Sequence, residues 1–391
     1  MKTLEWGIYL IVFCLPLYLV RFSILGIPTT VLEVLIYVLF ILWLIKGFKF
    51  GEIKKLLFTH YPLFIAILLI LIGVSTATFY SWNLGTSLGI WKAWFIDPIL
   101  FFIVFISTIK KPEQIARVFY CLICSGLMVS IISLIYLIQG KLDGQGRLQG
   151  FYNSPNYLAM YLAPVLIIGL GMLFLEKDYL LRRPLFIINL FLIIVLFFTK
   201  SFGAWLGIIG ALILGTIIYL SKRKNKKIIW GVICLGLLII LIFGLLKINS
   251  IPGRLSLSSR LIIWQRAWES FITHPIIGIG PGTFSDYFPS YPLWGVPQPH
   301  NLYLAFLLQT GIFGFIGLIW LLIWFFRRGF KSVIGGKGLV IGTWDLGLIL
   351  MSVMVYILIH GLVDTTYWKN DLSIFFWLVI GIMTIIKKEP Q

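Results

Sequence analysis

Acidic residues are scarce in this chain. Only 14 Asp and Glu stand against 32 Lys and Arg in 391 residues, and charged residues of all kinds make up 12%. A soluble globular domain is about a quarter charged and about half apolar. Here 60% of the residues are hydrophobic. No water-soluble fold of this length hides so much apolar surface, so lipid must be the solvent for much of it. Cysteine is also sparse. Cys14, Cys121, Cys124 and Cys234 each sit in an apolar run, and no disulfide framework is implied. Cys121 and Cys124 have the C-x-x-C spacing of a redox or metal motif, but the apolar flanks from Val118 to Met128 favour ordinary helix packing. After the first apolar run no small-x-small cleavage site follows; Arg21-Phe22-Ser23 comes instead, so this run reads as a membrane helix.

What is present is a series of long apolar runs. A helix needs roughly 20 apolar residues to cross the hydrocarbon core. That window predicts about twelve spans: 6–20, 30–45, 61–79, 95–109, 116–138, 157–175, 184–199, 202–220, 228–246, 302–326, 339–361 and 372–386. A tight hairpin is expected near Lys200. With the N-terminus inside, alternate loops collect roughly two thirds of the lysines and arginines on the inner side, so both termini are expected to be cytoplasmic. This sorting by loop accounts for the net charge of +18 without nucleic acid. The outward cations are then Arg21, Lys92, Lys141, Arg147, Lys200, Lys247, Arg254, Arg260, Arg266 and Lys369. Arginine suits a phosphate ligand because its planar fork donates two parallel hydrogen bonds. For Arg21, Lys92 and Lys369 the plainer reading, snorkelling to headgroup phosphates, is preferred. Outward carboxylates (Asp143, Glu269, Asp286, Asp364, Asp371) form no D-x-D or E-x-D pair, so metal-independent chemistry without a cofactor is expected.

The whole chain reads as one integral membrane domain, 1–391, with one long outward connection, 248–299, between the ninth and tenth helices. So long a loop is usually functional. Ser258 or Ser259 can cap an interfacial helix running to Thr273, with Leu261, Trp264, Trp268, Phe271 and Ile272 on one face. A glycine-rich turn, Gly278-Ile279-Gly280-Pro281-Gly282, follows, and then His300-Asn301 at the mouth of the tenth helix. His274, His300 and His360 fall on or near the outer face. Histidine's ordinary pKa, about 6.5, suits proton transfer near neutrality. Before any motif is weighed, interfacial histidines bonded to backbone are the commoner case.

The order of motifs weighs against that plainer case. Ser259-Arg260-Leu261-Ile262-Ile263-Trp264, then His274-Pro275-Ile276-Ile277-Gly278-Ile279-Gly280-Pro281-Gly282-Thr283-Phe284, then His300-Asn301-Leu302-Tyr303-Leu304 with Gly311-Ile312-Phe313-Gly314, resemble the signature loop of the O-antigen ligase and polymerase superfamily. Gly150 to Ala159 and Ile359 to Asp364 fit further segments, in the family's order. The resemblance implies an all-α, GT-C-like membrane glycosyltransferase with its active site outside the cytoplasmic membrane. Such enzymes are metal-independent and move a glycan from undecaprenyl pyrophosphate to an acceptor hydroxyl. The implied partners are that lipid-linked donor, a glycan or lipid acceptor such as the lipid A core, and membrane lipids. Arg260 matches the arginine associated with the donor pyrophosphate, and His300 the histidine proposed to activate the acceptor. Where the family often has S-R-G-A-W, this chain reads Ser201-Phe202-Gly203-Ala204-Trp205, without the arginine. Arg147 or Lys200 is the stand-in.

The expected mechanism follows. Arg260, with Arg147 or Lys200, neutralises the pyrophosphate as the glycosyl bond breaks. His300 takes the acceptor hydroxyl's proton, and the anomeric centre inverts. Asn301 and Asn156, with Arg266 and His360, are candidates for orienting the base or the sugar. Ligase and repeat-unit polymerase both fit. A twelve-helix transporter is the rival from another class, though no half-to-half similarity is visible in the sequence.

Overall fold

The computed structural model describes residues 2–222, 257–287, 298–335 and 343–386. Apart from one short β-hairpin the described chain is helical. Its contacts sort it into two units: Met1–Ser125, Leu257–Arg328 and Gly361–Ile386 in the first, and Gly126–Ser256, Gly329–His360 and Lys387–Gln391 in the second.

In the first unit α1, Lys2–Phe13, continues through a 3₁₀ turn, Leu15–Leu19, that carries Pro16. Twelve residues of α-helix and five of 3₁₀-helix rise together about 28 Å, which suits a run too short for an α-helical span alone. A hairpin follows that was not expected: β1, Arg21–Ile24, pairs antiparallel with β2, Ile27–Thr30. Thr30 then caps α2, Val31–Lys46, accepting from the Glu33 amide at 3.2 Å. After α2 the chain bends by 112° into α3, Phe50–Thr59, an amphipathic helix with no buried residue where an inner loop was expected. Next come α4, Tyr61–Phe79, α5, Leu84–Trp91, a π-helical turn, Lys92–Ile96, and α6, Asp97–Thr108. The helix through α5 and α6 begins eleven residues before the expected span because Asn83 caps it, accepting from the Thr86 amide at 3.3 Å. Lys92 is not a free snorkelling cation. Its ammonium lies 2.7 Å from the buried Glu33 carboxylate and 2.9 Å from the Pro28 carbonyl, and Asn370 donates to the other Glu33 oxygen at 2.9 Å. This network pins the base of the hairpin.

The long α7, Pro112–Ile138, runs from the first unit into the second. The second unit continues with α8, Pro155–Leu175, α9, Tyr179–Thr199, and α10, Phe202–Lys222. Lys200, with a left-handed backbone (φ 49°), makes the short link between α9 and α10, near which a tight hairpin was expected. The chain of the first unit resumes with α11, Leu257–Thr273, and α12, Phe284–Tyr287. It then enters α13, Leu302–Gly335. α14, Thr343–His360, packs on α10 in the second unit, with Gly207 against Tyr356 and Gly210 against Ile359. α15, Asn370–Ile385, is buried in the first.

Seven described helices are long and apolar enough to cross a membrane: Tyr61–Phe79, Leu84–Thr108, Pro112–Ile138, Pro155–Leu175, Tyr179–Thr199, Phe202–Leu220 and Leu302–Val333. The bent pair α2–α3 makes an eighth if it counts as one span, and Asp345–His360 and Asn370–Ile385 are apolar but shorter. Of the twelve expected spans, the ninth (228–246) lies outside the described residues.

Candidate functional site

α13 is broken near its start. Gly311 has φ 64° and ψ −173°, so the ladder of helical hydrogen bonds fails there. A lipid-embedded helix tolerates such a break only where other groups take up the freed backbone. The glycine-rich turn after α11 does this. The Ile312 amide donates to the Pro275 carbonyl at 3.0 Å, and the Ile279 amide to the Leu308 carbonyl at 2.9 Å. A Cβ on Gly311 would run into the Ile276 carbonyl oxygen, and one on Gly278 into the Gly311 amide. Gln309, fully buried, accepts from the Gly282 amide at 2.7 Å and donates to Gln298. The glycine motif is thus a backbone seam that locks the turn into the broken helix. Gly311→Ala, which adds a methyl group at a positive-φ glycine against backbone, is expected to destabilise by more than about 1 kcal/mol. The check is a lowered thermal unfolding temperature of the detergent-solubilised protein; an unchanged melt refutes the seam.

This seam places His300. Its backbone is left-handed (φ 48°), a strained state for a residue other than glycine. Asn301 caps α13 by accepting from the Tyr303 and Leu304 amides, both at 3.0 Å, and donates to the Leu362 carbonyl at 3.1 Å. The Leu302 amide reaches the Gly361 carbonyl at 2.7 Å. So the cap of α13 is tied to segment 361–364. That segment is held by a cluster of rings: Phe306 lies 5.0 Å from Tyr367 and 5.4 Å from Trp368, and Phe95 5.6 Å from Trp368. The outcome is a pair the sequence did not foretell. His300 Nδ1 lies 3.3 Å from Asp364 Oδ1, the imidazole partly exposed and the carboxylate almost wholly buried. Asp364 Oδ1 is itself oriented by the Thr365 amide at 2.9 Å. A carboxylate at Nδ1 favours the tautomer with its hydrogen there, which leaves Nε2 as the proton acceptor.

Arg260 stands on α11. This helix docks through Ile263 and Ala267 into a small core with Ile279, Phe284 and Leu308, against which Trp264, Phe271 and Leu304 pack. Its expected single apolar face is in fact divided: Leu261, Trp268 and Ile272 are exposed, because the glycine turn and α13 cover only the stripe with Ile263 and Ala267. Arg260 Nε and Trp264 Nε1 are both buried without a hydrogen-bond partner among the described residues. One turn apart, they share a face of α11. Buried donors are normally satisfied, so two orphans side by side call for an acceptor that the described residues do not supply. Arg266 instead pairs with Glu269 at 2.9 Å on the exposed surface, an arrangement that contributes little.

Arg147, Asn156, Lys200 and His360 belong to the second unit. Arg147 is almost buried and bridges two elements, donating from Nε to the Thr199 carbonyl at 2.9 Å and from a terminal nitrogen to Asn156 Oδ1 at 2.6 Å. Asp143 Oδ1 fastens the loop by accepting from the Arg147 and Gln145 amides at 2.8 and 2.9 Å. Beside them is a polar cavity of about 550 Å³ lined by Asp143, Gln145, Arg147, Gln149, Asn153 and Ser154. His360 is buried, and its Nδ1 is 2.7 Å from the Tyr356 hydroxyl, which in turn bonds the Ala159 carbonyl. Lys369 is half-buried, and burial lowers its pKa against the opposing pull of Asp371.

Residues 187–319 match the family model for O-antigen ligase. These residues belong to the O-antigen ligase superfamily. The matched stretch carries Lys200, Arg260, the glycine seam, His300 and Asn301 of the O-antigen ligase domain, whereas Arg147, Asn156, His360 and Asp364 lie outside it. No curated protein matches the chain. Sequence reasoning missed Asp364 as the partner of His300, although Asp364 closes one of the segments that fit the family pattern. It also missed Trp264 as a donor, since an indole in an interfacial helix reads first as a membrane anchor.

Proposed function

We propose that this O-antigen ligase-family protein is a glycosyltransferase that transfers a glycan from a polyprenyl-pyrophosphate carrier, undecaprenyl pyrophosphate, to an acceptor hydroxyl at the outer surface of the cytoplasmic membrane. The observation that carries the reading is the His300–Asp364 pair on a strained, rigidly capped backbone, in the same unit as the unsatisfied donors of Arg260 and Trp264. Nε2 of His300 takes the acceptor's proton as that oxygen bonds to the anomeric carbon. The bond from that carbon to the pyrophosphate breaks on the opposite face, its electron pair stays on the phosphate oxygen, and the sugar inverts. Arg260 and Trp264 donate to the leaving pyrophosphate, where negative charge accumulates.

The break in α13 does not favour a transporter. Carriers use such breaks to expose backbone groups to an ion, and here the Pro275 and Ile279 backbone occupies them. The test is purified protein in liposomes without any ion gradient, given a polyprenyl-pyrophosphate-linked glycan and an acceptor. Loss of the donor with an inverted product is expected. Donor that persists unless a gradient is imposed would end the proposal. Transfer of one glycan block to an unrelated lipid acceptor assigns a ligase, as favoured here, and growth of a repeat-unit chain assigns a polymerase.

A further inference from the structure

Ile312, Ile316, Trp320, Ile323 and Arg327 recur at helical spacing along α13 and form one stripe. With Tyr61 and Pro62 of α4 they line a groove of about 690 Å³. The groove has a structural cause. α4 and α13 approach closely where Gly73 meets the Gly314 backbone and where Gly317 meets Ala66 and Ile70. Toward Tyr61 and Arg327 bulkier side chains replace the glycines, and a wedge opens between the helices.

Apolar exposure on a membrane helix says nothing by itself, because lipid covers it. The informative residue is Arg327, which is exposed and has no hydrogen bond or ion pair among the described residues. Its neighbour Arg328 is fully engaged, donating to the carbonyls of Met383, Thr384 and Ile386 at 2.6, 2.9 and 2.7 Å. From Ile312 to Arg327 the stripe rises about 22 Å. Half a bilayer, from midplane through the headgroups, is also about 20–22 Å. The groove therefore matches one acyl chain of one leaflet and is too short for the long isoprenoid tail of a polyprenyl carrier. At its charged end stands the exposed Tyr61, and α3, which precedes α4 in the chain, carries Lys54 and Lys55.

We propose that this groove binds one anionic glycerophospholipid, its phosphate held by the Arg327 fork and one acyl chain laid along Ile323, Trp320, Ile316 and Ile312. The test is native mass spectrometry of the full-length, detergent-solubilised protein titrated with phosphatidylglycerol, phosphatidylcholine or polyprenyl phosphate. One phosphatidylglycerol per chain is expected to bind more tightly than the rest. Arg327→Ala should weaken that binding by about tenfold or more, because charge-assisted hydrogen bonds are lost. Ile316→Trp, which fills the groove without touching charge, should weaken it too. Arg327 has no hydrogen bond or ion pair among the described residues, so its loss leaves the melt unchanged. Equal retention of phosphatidylcholine, an unaltered affinity in Arg327→Ala, or displacement of phosphatidylglycerol by equimolar polyprenyl phosphate would each overturn the proposal.

Discussion

Replacing His300 with asparagine is expected to reduce glycosyl transfer by about 10²–10⁴-fold, the usual contribution of a general base, with the melting temperature unchanged. Asparagine is the informative choice. The backbone at His300 is left-handed, a conformation that asparagine adopts far more readily than alanine, so the variant removes the imidazole and keeps the turn. Asp364→Asn should act through His300. The Thr365 amide retains an oxygen to donate to, but the carboxamide no longer compels the hydrogen onto Nδ1, and part of the population presents Nε2 as N–H. Its expected signature is a fall in turnover with little change in KM for the donor. Full activity in His300→Asn would remove the histidine from the mechanism, whatever the Asp364 variant does.

Arg260→Ala is expected to lower transfer by about 10²–10³-fold, the range for deleting one preorganised donor to developing negative charge. The accompanying stability measurement is as telling as the rate. An arginine that holds a fold together satisfies its donors within the protein, and its removal lowers the melting temperature. Arg260 leaves Nε buried without a partner among the described residues, so its loss should leave stability the same or raise it. Arg260→Lys should recover only part of the rate, because a point charge cannot reproduce the bidentate fork. A destabilised Arg260→Ala protein with undiminished transfer would make Arg260 a structural residue and leave the pyrophosphate to other groups.

Much of the architecture could be read from hydrophobic runs alone. Seven of the expected spans correspond to helices long and apolar enough to cross a membrane, because about 20 consecutive apolar residues are a strong, local signal. The hairpin Arg21–Thr30 could not be read that way: two four-residue strands between apolar helices leave no countable periodicity. α3 was hidden because a short basic amphipathic helix looks like a positive loop until its 112° bend lays it across the preceding span. The site divides similarly. Arg260 and His300 were marked by local motifs. The Asp364 pairing spans 64 positions and depends on rings of Phe95, Phe306, Tyr367 and Trp368 drawn from three segments.

From its residues in order, this chain was determined to be a lipid-embedded helical protein with an arginine and a histidine in ordered motifs, since hydrophobic length and short spacings are properties of neighbouring positions. Only the tertiary structure decided that Gly311 breaks α13, that the glycine turn fills the break, and that a buried carboxylate stands behind His300. Those are meetings of distant segments, each governed by which backbone groups need partners and which surfaces fit together, and a linear pattern carries neither.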